Sequence, residues 1–162
     1  MIFITLGSQK FQFNRLLKAV DEQVASGKIK EEVFAQIGAS DYQPQHYKFK
    51  DFLNRDEFAE WTDKADIVIT HGGTGAIIGA VKKGKKVIAV PRLARFGEHV
   101  DDHQLQLVGQ FRNSHLIYEC QDCDELWQAV EKVKNTKFES YQSNTDRIIE
   151  SIEKYITYFG GK

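Results

Sequence analysis

The sequence contains little cysteine: its two thiols, Cys120 and Cys123, form a single C-x-x-C pair. Such a pair can be half of a zinc site or a redox dithiol. A structural zinc site takes about four ligands, and no second pair exists. A thioredoxin-like dithiol is expected to open a helix near the start of a chain. We therefore expect reduced thiols with no functional role.

Excess charge and long hydrophobic runs are also missing. The chain has 22 basic and 23 acidic residues, so its formal charge of -1 gives no general drive toward nucleic acid or an anionic membrane. No run approaches the ~18 apolar residues that span a bilayer. Residues 1–6 lack the basic region and cleavage site of a signal peptide and are typical of a strand. We expect a cytoplasmic protein without a nucleic-acid partner.

The most informative feature that is present is the sequence H-G-G-T-G at residues 71–75. It follows a β-branched apolar run and precedes a helix-compatible run, so it predicts a strand, a tight turn and a helix. Glycine lets the backbone come close to a ligand, and the helix start presents unpaired N–H groups and the positive dipole end. The pattern favours a site for nucleotide phosphates. A glycine turn with a purely structural role is the alternative.

Predicted strands and helices alternate along the chain. The strands cover residues 2–6, 33–37, 47–52, 66–70, 85–90 and 116–118. The helices cover about 13–24, a segment around 58–61 capped by Asn54 or Asp56, and about 76–83, 100–111, 124–134 and 141–159. This order and the nearly continuous apolar strands predict an α/β fold: a Rossmann-like parallel sheet with helices on both faces. Length and composition predict one domain, residues 1–162.

Three predicted turns follow strands of this sheet, at residues 7–9, 71–75 and 91–103. Ligands of open parallel sheets bind at the carboxyl ends of the strands. We therefore expect the three turns to lie together and to form the binding site.

The usual nucleotide motifs do not fit this arrangement. A dinucleotide fingerprint requires G-x-G-x-x-G in the first turn, where this chain has only G-S-Q at residues 7–9. The glycines at 73, 75 and 79 lie mid-chain with different spacing, and no Walker sequence is present. A nucleotide-dependent oxidoreductase of an unrelated kind is therefore disfavoured.

Four segments, taken in order, carry a resemblance to a known family. They are T-L-G-S at 5–8 with Phe11 and Leu16, H-G-G-T-G at 71–75, G-K-K-V-I-A-V-P at 84–91, and E-H-V-D-D-H-Q at 98–104. In this combination the chain resembles the C-terminal, sugar-nucleotide-binding half of GT-B glycosyltransferases of the MurG and Alg13 type. The similarity runs from residue 1 to about 112 and is greatest to the PssE/Alg13-like small subunits of two-component transferases.

The resemblance implies a function. The chain would bind a UDP-sugar as the catalytic subunit of a bipartite enzyme that transfers a hexose, of galactose or glucose type, to a lipid-linked acceptor in exopolysaccharide or capsule synthesis. A membrane-anchored, PssD/Alg14-like subunit would bind the acceptor, supply the base and hold the chain at the inner face of the plasma membrane. No cofactor or metal is implied. A non-catalytic subunit that stabilises another transferase is the alternative.

The resemblance also implies a set of substrate-binding residues. Gly7 and Ser8 would lie near the diphosphate, residues 72–75 would form the phosphate turn, and His103 and Gln104 would contact sugar hydroxyls. The complete set is Gly7, Ser8, His71, Gly72, Gly73, Thr74, Gly75, Pro91, Glu98, His99, His103 and Gln104. Relatives usually carry a ribose-binding carboxylate where this chain has Gly79, and Glu98 is a candidate substitute on chemistry alone.

Some of these residues have a second interpretation. His99 and His103 are four residues apart, so on one helix they could bind a metal with Asp102. The alternative is that they line a cleft as polar residues. His71 is a weak candidate for a catalytic base, and a phosphate-contacting or turn-capping role fits its position better.

Two surface features remain. Lysines 82, 83, 85 and 86 flank Gly84 and are typical of a solvated helix end, with lipid headgroups as an alternative contact. The last predicted helix, residues 141–159, has an apolar stripe at helical spacing that would cover the sheet of this domain or, together with Trp61, contact a partner.

Overall fold

The computed structural model of the chain describes residues 1–7 and 9–140. In this part of the chain six strands form one sheet, in the order β3-β2-β1-β4-β5-β6, and every neighbouring pair is parallel. The strands are β1 (Ile2–Thr5), β2 (Val33–Gln36), β3 (Lys48–Lys50), β4 (Ile67–His71), β5 (Lys86–Val90) and β6 (Tyr118–Glu119). The predicted parallel α/β sheet is confirmed.

Within residues 1–7 and 9–140, five helices cover the two faces of this sheet. They are α1 (Asn14–Ala25), α2 (Arg55–Lys64), α3 (Thr74–Lys82), α4 (His103–Asn113) and α5 (Leu126–Lys134), with short 3₁₀ turns at Ala94–Phe96 and Cys123–Glu125. Of the two predicted caps of α2, Asn54 is the one observed: its side chain accepts a hydrogen bond from Glu57 N at 2.8 Å while the Glu57 carboxylate accepts one from Asn54 N. The predicted helix 141–159 lies outside the described residues.

The two hydrophobic cores follow the alternation of side chains along the strands. Ile2 and Ile4 of β1 face the core that α1 and α5 cover, whereas Phe3 faces the core that α2, α3 and α4 cover. All three side chains are fully buried. Because both faces are apolar, the polar groups of the domain collect at the ends of the strands.

Most predicted boundaries differ from the structure by one or two residues, and three of the differences have an identifiable cause. The third strand is shorter than 47–52, and the sixth pairs at Tyr118–Glu119 instead of 116–118, because both lie at sheet edges where only part of the run finds a partner. The helix predicted from about residue 100 begins at His103, because the Asp101 and Asp102 side chains accept hydrogen bonds from the main-chain N of His103 and Ala94 and hold the preceding segment as a loop.

Candidate functional site

The three turns predicted to form the site meet at the carboxyl edge of the sheet. They follow β1, β4 and β5, which are neighbours in the strand order. Arg92 lies in the turn after β5, and its side chain donates a hydrogen bond to Leu6 O, just after β1, at 2.6 Å. Gly72 N donates to the Gln104 side chain at 3.2 Å, which joins the turn after β4 to the segment after β5. The predicted convergence is confirmed.

The turn after β4 leaves main-chain donors unpaired. The cap residue Gly73 supplies no side-chain acceptor, and the first intrahelical bond of α3 runs from Ile77 N to Gly73 O at 3.2 Å. The amides of residues 73–76 have no acceptor within the described part of the chain. Four N–H groups and the positive end of the α3 dipole therefore meet at one point, which is the geometry that binds an anion.

The glycines of this turn have different reasons for being glycine. A Cβ on Gly72 would lie 2.7 Å from Gln104 Cβ, and one on Gly73 would lie 2.4 Å from His71 Nε2. Packing within the protein therefore requires glycine at both positions. A Cβ on Gly75 would meet nothing within 4 Å, and Gly75 is exposed. Gly72 and Gly73 fit the structural interpretation of the turn, whereas Gly75 leaves open space beside the unpaired amides.

His71 is buried beneath this turn. Its ring lies against Gly7 and Gly73, and its Nδ1 is 3.3 Å from Thr70 Oγ1. Burial and the nearby charge of Arg92 lower the pKa of His71 to about 4. The imidazole is therefore uncharged at neutral pH and too weak a base to take a proton from an acceptor hydroxyl. Its position fits support of the turn.

Sequence reasoning missed Arg92, whose side chain is the largest of the fully buried ones. Its guanidinium donates to main-chain oxygens of Leu6, Phe11, Gln12 and Glu98, at 2.6 to 3.3 Å. It thereby joins the loop after β1 to the loop after β5. Burial lowers its pKa to about 10, so it stays charged at neutral pH.

Glu98 has a different role from the one expected. Its carboxylate is fully buried and binds Arg15 through two contacts, Nε to Oε2 at 2.9 Å and Nη2 to Oε1 at 3.0 Å. Oε1 also accepts a hydrogen bond from Leu93 N at 3.0 Å. With both oxygens occupied inside the protein, Glu98 does not reach a ribose in this structure. The suggested substitution for the carboxylate absent at Gly79 is therefore wrong.

His99 and His103 do not share a helix face, because α4 begins at His103 and His99 lies in the preceding loop. The helical spacing on which the metal alternative depended is wrong. Each ring places Nδ1 3.2 Å from an oxygen of Asp101, so one carboxylate lies between the two histidines. Residues 1–7 and 9–140 contain no group of three His, Cys, Asp or Glu side chains able to hold a metal.

Gln104 joins two turns through one atom. Its Oε1 accepts hydrogen bonds from Gly72 N and from Arg92 N, both at 3.2 Å. Its Nε2 makes no hydrogen bond with the described residues. The Oε1 atom of this predicted sugar-binding side chain thus joins the two turns, and only Nε2 remains for a ligand.

The remaining predicted residues are Thr74, His103, Pro91, Gly7 and Ser8. Thr74 and His103 are half-buried at the start of α3 and of α4, and Pro91 is buried at the end of β5. Gly7 is in the left-handed region with a φ of 72°, which glycine adopts without strain. Ser8 lies outside the described residues.

The lysines around Gly84 lie at the opposite, amino-terminal edge of the sheet. Lys83 pairs with Asp63 at 2.9 Å, Lys85 donates to Asp63 O, and Lys86 donates to Lys134 O. Lys82, Lys85 and Lys86 line a surface cavity of about 590 Å³. The cavity lies at the other end of the strands from the glycine turn, so it is not part of the predicted site.

The sheet order, the helices on both faces and the turn after β4 define the class of the protein: a Rossmann-like domain of the kind that forms the C-terminal half of GT-B glycosyltransferases. The family model of the glycosyltransferase family 28 C-terminal domain matches residues 1–156, and the chain belongs to this family. The family resemblance drawn from the sequence is confirmed.

Two of the curated relatives that match this chain carry the same name. The chain is 28% identical over 127 residues to the human UDP-N-acetylglucosamine transferase subunit ALG13, covering 72% of this chain and 11% of that protein. It is 30% identical over 94 residues to the Candida glabrata subunit of the same name, covering 57% of this chain and 46% of that protein. The chain thus spans less than half the length of these relatives.

Solved structures agree on the fold. The solution structure of ALG13 matches with a TM-score of 0.59 at 17% identity, over 94% of this chain and 96% of that one. The calicheamicin glycosyltransferase CalG4 matches with a TM-score of 0.62 at 17% identity, over 97% of this chain and 38% of that one. In residues 1–7 and 9–140 we find no helix with the length and hydrophobicity that crossing a membrane requires.

Proposed function

We propose that the chain binds a UDP-sugar at the start of α3 and is the donor-binding, catalytic subunit of a bipartite glycosyltransferase. The observation that carries this proposal is the set of unpaired amides at residues 73–76, at the carboxyl edge of the sheet. A diphosphate supplies the negative charge and the acceptor oxygens that such a helix start binds. The relatives named as UDP-N-acetylglucosamine transferase subunits support a uridine nucleotide and a role as one subunit.

The proposed reaction transfers a hexose to a hydroxyl of a lipid-linked acceptor. The bond between the anomeric carbon and the β-phosphate oxygen breaks, a bond from the acceptor oxygen to that carbon forms, and UDP leaves with the electron pair. Negative charge grows on the leaving diphosphate, where the α3 amides and dipole stabilise it without reorganisation.

The acceptor proton goes to a base outside this chain. The natural candidate here, His71, is buried with its pKa lowered to about 4. We therefore assign the base and the acceptor site to a membrane-anchored partner subunit, which would hold this chain at the cytoplasmic face of the plasma membrane. Exopolysaccharide or capsule synthesis is the proposed pathway.

Calorimetry on the purified chain, alone and with its partner, tests the proposal. UDP and UDP-hexoses should bind with measurable heat, and Gly75→Leu, which places a side chain in the open space beside the amides, should abolish binding while leaving the fold intact by circular dichroism. Absence of heat for all uridine nucleotides in both preparations would overturn it.

The alternative, a non-catalytic subunit that stabilises another transferase, predicts a different result. Gln104 does not discriminate the two roles, because its side chain holds the turns together. His103 does, since it is half-buried and, among the residues that the structure describes, its side chain contacts only the Asp101 carboxylate, through Nδ1. Transfer activity of the reconstituted complex should fall in His103→Ala if the chain binds the donor, and should be unchanged if the chain only stabilises its partner.

A further inference from the structure

The loops of the site enclose a positive charge that has no carboxylate of its own. Arg92 is 1% exposed, and its Nη1 and Nη2 donate to main-chain oxygens of Leu6, Phe11, Gln12 and Glu98. Its Nε is buried without a partner in the described part of the chain. Carbonyl oxygens satisfy the hydrogen-bonding groups of a guanidinium, but they do not neutralise its charge.

The nearest carboxylate already serves another cation. Glu98 forms the two-contact pair with Arg15, so the two guanidinium groups share one buried carboxylate; the other carboxylate near Arg15, that of Asp122, is exposed to solvent. The Cys123 thiol, which Arg15 contacts at 3.3 Å, is uncharged because burial raises its pKa to about 11. His71 is also uncharged at neutral pH. The cluster of Arg15, Arg92 and Glu98 therefore holds a net charge of one positive unit.

This charge lies directly behind the predicted phosphate turn. Arg92 binds Leu6 O, one residue before Gly7. A Cβ on Gly7 would lie 2.9 Å from the His71 ring, and the same ring abuts Gly73 at the start of α3. The charge of Arg92 is near enough to help lower the pKa of His71. In a water-excluded interior, a buried charge acts on neighbouring groups more strongly than it would in water.

We propose that Arg92 is a positioning residue for the anionic ligand: it fixes the loop after β1 and supplies, from behind the turn, the positive charge that a bound diphosphate neutralises. The proposal rests on the proposed function, because it assigns the ligand to the same turn. It explains why this buried residue carries a charge, since an uncharged hydrogen-bond donor would also satisfy the four carbonyl oxygens. An arginine suits this place because its planar group is always charged and donates in several directions at once.

The proposal predicts a selective effect on the phosphates. The quantity to measure is the ratio of the dissociation constants of uridine and UDP, obtained for the full chain by NMR titration. Arg92→Met should lower this ratio by at least about tenfold, because the charge acts on the diphosphate and not on the nucleoside. Arg92→Lys should keep the ratio within about threefold, because it keeps the charge. Arg112→Met, which removes an exposed guanidinium elsewhere, is the control.

A variant that removes a negative charge instead of a positive one distinguishes an effect of charge from an effect of packing. Glu98→Gln preserves the shape of the side chain but leaves the cluster with two positive charges, so the ratio should rise. A structural role alone would weaken uridine and UDP together and leave the ratio unchanged. An unchanged ratio in Arg92→Met overturns the proposal; if that variant does not fold, an unchanged or lower ratio in Glu98→Gln overturns it. Failure of the wild-type chain to bind UDP would instead overturn the proposed function.

Discussion

The side chain of Gln104 holds the main chain of Gly72: Oε1 accepts a hydrogen bond from Gly72 N at 3.2 Å, and the same atom accepts one from Arg92 N. The turns after β4 and β5 therefore share one acceptor. Since both N–H groups are buried, neither has water as a replacement partner.

Removal of this acceptor should destabilise the site and the fold together. Gln104→Ala leaves two buried donors unpaired, which costs about 2 kcal/mol in the free energy of unfolding. Urea denaturation measures this loss. The control is Gln106→Ala, an exposed position on the same helix, which should change the stability by less than about 0.5 kcal/mol. Equal stability of the two variants would contradict the role given to Gln104.

The same substitution at two glycines of one turn should have opposite consequences. Gly73→Ala places a Cβ 2.4 Å from His71 Nε2 and should destabilise the fold by about 1–3 kcal/mol. Gly75→Ala meets nothing within 4 Å and should leave stability equal or raise it by up to about 1 kcal/mol, because alanine favours a helix.

The effect of Gly75→Ala on ligand affinity should differ from its effect on stability. Gly75→Ala, although harmless to the fold, should weaken UDP binding because its methyl group enters the space beside the free amides. Thermal unfolding and calorimetry on both variants supply the comparison. If Gly75→Ala binds UDP as well as the wild-type chain does, the ligand does not lie against this turn.

His71 should make stability depend on pH. Its pKa is about 4 in the folded chain and near 6.5 in the unfolded chain, so the unfolded state takes up the proton first as the pH falls. The contribution of neutral His71 is complete above pH 6.5 and is lost between 6.5 and about 4, with a total of about 3 kcal/mol.

The slope of stability against pH is the measurement for this effect. Chemical denaturation across that range should show a shallower slope for His71→Gln than for the wild-type chain. His115→Asn, which changes an exposed histidine in the left-handed region, should keep the wild-type slope. Identical slopes for all three proteins would place the titration on other groups.

The two thiols should be slow to react in the folded chain. Burial raises the pKa of Cys120 to about 12 and of Cys123 to about 11. At pH 8 the thiolate fraction is then about 100-fold or more below that of an exposed cysteine. Labelling with a disulfide reagent should be correspondingly slow until urea is added. Fast labelling of the native chain would revive the redox interpretation of the C-x-x-C pair.

The sheet and the convergence of the three turns were predictable because they depend on local patterns. Apolar runs of strand length, interrupted by glycine or proline, fixed the order of elements, and parallel topology then placed the turns at residues 7–9 and 71–75 at one edge. The cap at Asn54 was visible for the same reason, since its partner Glu57 is three residues away.

The role of Glu98 could not be predicted, because it depends on a partner 83 residues away in the sequence, Arg15. A charged residue such as Arg92 is expected at the surface, and only the fold brings four carbonyl oxygens around it. The start of α4 was misplaced because Asp101 and Asp102 use their side chains as loop acceptors, which the pattern of apolar residues does not reveal.

The central claim is that the free amides at the start of α3 bind the diphosphate of a uridine nucleotide. Amide NMR spectra of the isotope-labelled chain, recorded while UDP is added, test it directly. The account predicts that the signals of Gly73, Thr74, Gly75 and Ala76 shift in a saturable way and that uridine moves them far less. Shifts confined to the amino-terminal edge around Gly84, or no shifts at all, would contradict it.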